Sequence, residues 1–161
     1  MTTQEMFTAF GQDKNRMIQG IFSSIFIIQN RMQTSGEKIQ TEISMKQWLL
    51  IAMTLNCPEP RTLTNVGNMM GCSRQNVKKL SAALEKTGFV ELRAGKNNSV
   101  SIEPTEKALK YFADIAPRHE ETLELLFQDF SEDELAQFYN LFGKLYSGVE
   151  RVEKYSEGLS K

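Results

Sequence analysis

Apolar residues recur at three- and four-residue steps between Lys14 and about Gly36, at Ile18, Ile21, Phe22, Ile25, Phe26 and Met32. That period predicts a long amphipathic helix with Gly36 as its stop. A second helix is expected from Ser44, where Ser44 and Gln47 form a capping-box pattern ahead of Trp48, Leu49, Ile51, Ala52 and Leu55, and Pro58 and Pro60 end it. Thr62 caps a short third helix to Met70, Gly71 supplies a tight turn, and Ser73 caps a fourth helix that runs to Thr87 and stops at Gly88.

After Gly88 the period changes from helical to alternating. Phe89 to Arg93 and Ser99 to Ile102 read as two short strands around the turn-rich tip Ala94-Gly95-Lys96-Asn97-Asn98, with Val90 and Leu92 facing Val100 and Ile102. Helix resumes at Thr105 through Ala108, Leu109, Phe112 and Ile115, with a bend expected at Pro117 before Leu123 to Phe130. Ser131 and Glu134 make another capping box. Beyond it Leu135, Phe138, Phe142, Leu145, Val149 and Val152 step by three and four alternately, a heptad seam of roughly two and a half heptads that requires a partner helix. The tail from Ser156 is polar and expected to fray.

The fold class that follows is mainly α with one small antiparallel β-hairpin: a winged helix-turn-helix lobe plus a helical dimerisation region formed by N- and C-terminal helices. At 161 residues the chain is expected to be a single unit, residues 1–161. Within it, residues 44–103 form the lobe and residues 1–40 and 105–161 the dimerisation region.

Charge changes this picture from a fold to a surface. The chain as a whole has a net charge of -1, unpromising for a polyanion ligand. Residues 72–102, however, carry six Lys or Arg against two Asp or Glu, while residues 103–161 carry seven against thirteen. The basic segment is the one holding the fourth helix and the hairpin.

Val66-Gly67-Asn68-Met69-Met70-Gly71-Cys72-Ser73-Arg74-Gln75-Asn76-Val77-Lys78-Lys79-Leu80 meets the steric demands of a helix-turn-helix. Gly67 is small where the helices cross, Gly71 turns the chain, and Val66, Met70, Val77 and Leu80 form the interface. At about 100° per residue, Val77, Leu80 and Leu84 share the inward face. Arg74, Gln75, Lys78, Lys79, Ala82 and Lys86 are assigned to the opposite one. Arg74 and Gln75 lie in the first turn, where Arg pairs with guanine and Gln with adenine. Lys78, Lys79 and Lys86 suit phosphates, and Ala82 suits a thymine methyl. The DNA-binding residues expected are therefore Ser73, Arg74, Gln75, Asn76, Lys78, Lys79, Ala82 and Lys86 on the helix. Arg93, Lys96, Asn97 and Asn98 on the hairpin join them as a wing.

These residues resemble the MarR family of bacterial transcriptional regulators. The resemblance spans nearly the whole chain and is most specific at Cys72 to Leu80 and at Leu84-Glu85-Lys86-Thr87-Gly88-Phe89-Val90. It implies a homodimer with interlocked terminal helices and two recognition helices in successive major grooves of a pseudo-palindromic operator in double-stranded DNA. It also implies repression that a small-molecule effector or oxidant relieves. The family's wing carries an Asp-x-Arg motif; here the segment from Ala94 to Ser99 is shorter and holds only Lys96. Specificity is accordingly expected to rest on the helix and on dimer spacing.

Other chemistry is not expected. His119 is the only histidine, and Cys57 and Cys72 have no ligand partners nearby, so neither a metal site nor a disulfide framework is read. Both cysteines are read as packing residues, Cys72 at a position that wants a small buried side chain, with a redox-sensing thiol as the minority reading. No cofactor, no catalytic residue and no nucleophile–base pair is expected. The apolar run Ile21 to Ile28 is broken by Ser23 and Ser24, short of a membrane span. With no basic, small-residue leader pattern, a cytoplasmic location is expected. The alternative function is a winged-helix protein-interaction module that does not read DNA, suggested by the short wing and acidic isoelectric point.

Overall fold

The computed structural model describes residues 2–11 and 13–159. Among them the elements run α1 (Thr3–Phe10), α2 (Lys14–Ile39), α3 (Met45–Asn56), α4 (Leu63–Met70), α5 (Arg74–Lys86), β1 (Val90–Ala94), β2 (Val100–Pro104), α6 (Glu106–Phe127) and α7 (Glu132–Leu159). The chain divides into two compact units, one through Ala116 and one from Pro117 onward.

In the first unit, α3, α4 and α5 close around a core shared with the hairpin and the start of α6. Leu50, Ile51, Val66, Val77, Leu84 and Ile102 are fully buried, each such side chain stabilising the fold by about 1.5–3 kcal/mol relative to exposure. Phe89 meets Tyr111 edge-on with centroids 5.4 Å apart, and Trp48 stacks on Phe112 at 5.9 Å. β1 and β2 pair antiparallel with Leu92 opposite Ile102, Ala94 opposite Val100 and Val90 opposite Pro104. The strands sit one or two residues later than the alternation predicts, because Phe89 is spent on the core and Pro104 still accepts a ladder position at the strand end.

The helix starts follow their caps. Ser44 and Gln47 close the expected capping box, and the side chains of Thr62 and Ser73 accept from the third amide of α4 and α5. α1, which the hydrophobic pattern does not reveal, is also begun by a capping box, between Thr2 and Glu5. Gly36 is not a stop. It is buried inside α2, which continues to Ile39, and a Cβ at Gly36 would collide with the side chain of Met45; the glycine allows α3 to approach. Ile18, Ile21, Phe22 and Phe26 are all about half exposed, so among the described residues of its own unit nothing covers the stripe on α2. Cys57 is buried but Cys72, expected to be buried, is only half so.

α6 stays helical through Pro117 and ends at Phe127, short of the expected Phe130. His119 is half-buried, and that burial holds its imidazole below the usual pKa. In the second unit α7 continues past Ser156 to Leu159, and none of its residues is buried. The expected fraying is therefore not seen up to Leu159. Phe138, Phe142, Leu145, Val149 and Val152 are exposed.

The first turn of α7 carries a pH dependence. Glu134 accepts from the Ser131 amide at 2.9 Å and from its hydroxyl at 3.0 Å, and these bonds, the backbone one foremost, hold the carboxyl below its ordinary pKa. A depressed carboxyl contributes stability that is complete above its unfolded pKa and is lost as the pH falls through the folded value. Protection of the Ser131 amide against hydrogen exchange is expected to fall on acidification through the carboxylate range. In Glu134→Gln that pH dependence should be absent.

Candidate nucleic-acid interface

The turn between α4 and α5 depends on two glycines. Gly71 adopts φ 63° and ψ 33°, a left-handed conformation costly for a residue with a Cβ. The Cys72 amide donates to the Gly67 carbonyl at 2.9 Å. A Cβ on Gly67 would come within 2.8 Å of the Cys72 carbonyl oxygen and 3.3 Å of Val77 Cγ2, so only glycine permits this crossing.

The Ser73 hydroxyl accepts from the Asn76 amide at 3.3 Å, fixing the start of α5. Val77, Ser81 and Leu84 are fully buried. Ser81 was not expected there; its hydroxyl is satisfied by donating to the Val77 carbonyl at 2.8 Å. Leu80 is half-buried, while Arg74, Gln75, Asn76, Lys78, Lys79 and Lys86 are exposed.

Ser73, Gln75, Asn76, Lys78, Lys79 and Ala82 together line a groove of about 550 Å³. Six of the residues expected on the helix thus converge on one surface, with two ammonium groups beside two amides and a methyl. Lys86 lies outside that lining, on the last turn. Arg74 also departs from it: it lines a separate cleft with Thr62, Leu63, Thr64, Asn97, Asn98, Ser99 and Val100.

The hairpin tip is closed by the Gly95 amide donating to the Ser99 carbonyl at 2.8 Å. Asn97 and Asn98 both sit at φ 56°, a region asparagine tolerates better than other side chains. They are exposed. The side chain of Lys96 lies outside the described residues. Arg93 is exposed and pairs with Glu91 at 3.0 Å; that hydrogen bond, with the carboxylate's charge, raises its pKa.

Several residues that sequence reasoning passes over hold these parts in place. Glu85 on α5 accepts from the Leu92 amide of β1 at 2.8 Å. On the opposite side, the Ile102 amide donates to the Arg61 carbonyl at 3.0 Å, and Arg61 pairs with Glu103 at 3.4 Å. The Thr105 hydroxyl donates to the Gly88 carbonyl at 2.7 Å. Lys107 Nζ donates to the Thr87 carbonyl at 3.0 Å and lies 4.2 Å from the centroid of the Phe89 ring. A cation on the last carbonyls of α5 opposes the negative end of its dipole. Lys107→Met is expected to destabilise the protein by about 1 kcal/mol, from the lost dipole and ring contacts together, as read by urea denaturation.

Among the described residues no helix is long and apolar enough to cross a membrane, and no group of three or more His, Cys, Asp or Glu is placed to hold a metal ion.

No protein-family model matches the chain. It is similar to the transcriptional repressor MprA of Escherichia coli strain K12, 24% identical over 132 residues, which is 79% of this chain and 75% of that protein. Solved structures share the fold at lower identity. A MarR/EmrR family transcriptional regulator from Acinetobacter sp. ADP1 superposes with a TM-score of 0.73 at 17% identity, covering 84% of this chain and 98% of that one. The S. aureus MepR protein, in its complex with DNA, superposes with a TM-score of 0.70 at 17% identity, covering 80% and 97%.

Proposed function

We propose that this chain, whose fold is that of the MarR family regulators, is a homodimeric, sequence-specific DNA-binding transcriptional regulator that acts as a repressor in the cytoplasm and is not an enzyme. The observation that carries this reading is the Ser73-capped α5 and its groove of Ser73, Gln75, Asn76, Lys78, Lys79 and Ala82. The relation to a transcriptional repressor supports it.

In this reading α5 lies in the major groove. Gln75 and Asn76 bring amides that can pair with both edge groups of adenine, and Ala82 leaves room for a thymine methyl. Lys78, Lys79 and Lys86 neutralise phosphates and release counterions. The wing follows the adjacent backbone with Arg93, Lys96, Asn97 and Asn98; Arg93 exchanges its exposed Glu91 partner for phosphate at small cost, since such a pair is weak in water. The seam on α7 and the stripe on α2 join two copies, which places two α5 helices about 34–36 Å apart, one turn of the duplex. Residues 44–103 form the DNA-binding lobe and residues 1–40 and 105–161 the dimerisation region of this assembly. A small-molecule effector acts by favouring a dimer geometry that misplaces the two helices.

Binding to genomic fragments, followed by fluorescence anisotropy at two salt concentrations, tests the proposal. Gln75→Ala is expected to lose about 1–3 kcal/mol of discrimination at one base pair per half-site. Lys79→Ala should weaken all sequences alike and lower the salt slope by about 1. Affinity that never exceeds the nonspecific level, with a protein partner retained on purification, would favour a winged-helix interaction module instead.

A further inference from the structure

The separation of Arg74 from the reading groove has a mechanistic meaning. Its neighbours on the helix surface argue first. At about 100° per residue, Arg74 stands about 80° around α5 from Ala82 and only about 20° from Ser81. Ala82 belongs to the groove and Ser81 is fully buried. Arg74 therefore emerges along the flank of α5 that faces α4 and the hairpin, and it lines the cleft of about 350 Å³ there.

The chemistry of that cleft argues second. Among the described residues its polar lining is Thr62, Thr64, Asn97, Asn98 and Ser99, with Arg74 the one charged side chain. Among the described residues no ion pair engages the Arg74 guanidinium. One uncompensated cation among neutral hydroxyls and amides matches a singly charged phosphodiester: the guanidinium fork meets two phosphate oxygens, and the small polar groups complete the donors. Of the groove residues, Lys78 lies about 40° around the helix from Arg74 and Gln75 about 100°, so Arg74 stands at the edge of the groove on the hairpin side and not among its central residues.

The topology argues third. A recognition helix in the major groove and a wing over the neighbouring minor groove must straddle the one sugar–phosphate strand that separates the two grooves. If α5 is such a helix and the hairpin such a wing, the cleft lined by Arg74 and the hairpin-tip residues Asn97, Asn98 and Ser99 is where that strand would run.

We infer that Arg74 is a phosphate anchor rather than a base reader, clamping the strand between recognition helix and wing together with Thr64, Asn98 and Ser99. This rests on the DNA-binding reading of α5. It reassigns the base-reading role expected of Arg74 from its place in the first turn, and leaves Gln75 and Asn76 as the readers.

The experiment compares wild type, Arg74→Ala and Arg74→Lys, each checked for folding by circular dichroism, on an operator duplex and on a nonspecific one across a salt series. It then repeats the binding on duplexes in which single backbone linkages are replaced by neutral methylphosphonates. The expected result is that Arg74→Ala weakens both duplexes by the same factor and lowers the salt slope by about 1. Arg74→Lys should recover the slope, and one linkage in each half-site should lose its effect in Arg74→Ala while retaining it in wild type. A loss confined to one base pair, with an unchanged slope and no linkage coupled to Arg74, would overturn the inference. Wild-type protein that shows no operator preference would instead contradict the regulator reading, and the salt slopes and methylphosphonate series on nonspecific DNA would still decide whether Arg74 holds a phosphate.

Discussion

Replacing Phe142 and Leu145 together by glutamate is expected to yield a folded monomer that has lost at least a hundredfold in operator affinity. Both side chains lie on a helix that buries none of its residues within the chain, at exposures of 43% and 37%. The substitution thus removes little from the fold of the single chain. In a dimer each copy would bury these groups against the other. Burial of such a side chain contributes about 1.5–3 kcal/mol, and a carboxylate in its place must be desolvated without a partner. The change is made twice per symmetric interface. Without the dimer, one recognition helix binds alone, and the loss of the linked second site weakens binding by roughly 10²–10⁴. Light scattering at micromolar concentration, beside anisotropy on the operator, reads both effects. A double variant that remains dimeric would place the interface elsewhere.

The second large effect is expected at Gly67. In Gly67→Val the added Cβ meets a carbonyl oxygen of the backbone at 2.8 Å, and the branches meet Val77, one of the fully buried residues of the lobe. Neither neighbour is the far end of a flexible side chain, so relief requires moving α4 away from α5. A loss of about 3 kcal/mol or more is expected, by analogy with overpacked cores and strained backbone together, a large share of the stability of a domain this size. Gly71→Ala is the internal comparison. It forces a left-handed residue with nothing crowding its Cβ, and should cost only about 1–2 kcal/mol. Thermal unfolding of the two variants ranks them; equal losses would mean that the close crossing at Gly67 is not what holds the helices together.

How much of this was legible depended on sequence distance. The caps at Ser44, Thr62, Ser73 and Ser131 act on amides three residues away, so their signals are local, and the helix starts could be read. Gly71 was legible for the same reason. The capping box of α1 was equally local but stood on a segment without a clear apolar period. Gly36 could not be read, because the side chain that makes it necessary belongs to Met45, across a turn. Nor could the bonds from Glu85 to Leu92, Lys107 to Thr87 and Arg61 to Glu103, which join residues 7, 20 and 42 positions apart. The candidate site was legible as a list of residues but not as an arrangement. A helical wheel separates an inward face from an outward one. It does not show that the outward flank at Arg74 is shared with a hairpin tip formed more than twenty positions later.

Whether two copies of α5 read DNA at a fixed spacing is decided by selecting bound duplexes from a random-sequence pool with purified protein and sequencing them. Enrichment of a pseudo-palindromic motif whose half-sites lie about 10–10.5 base pairs apart, centre to centre, is expected, with the enrichment lost in Gln75→Ala. A pool that stays random through successive rounds, while the protein remains folded and dimeric, would contradict it.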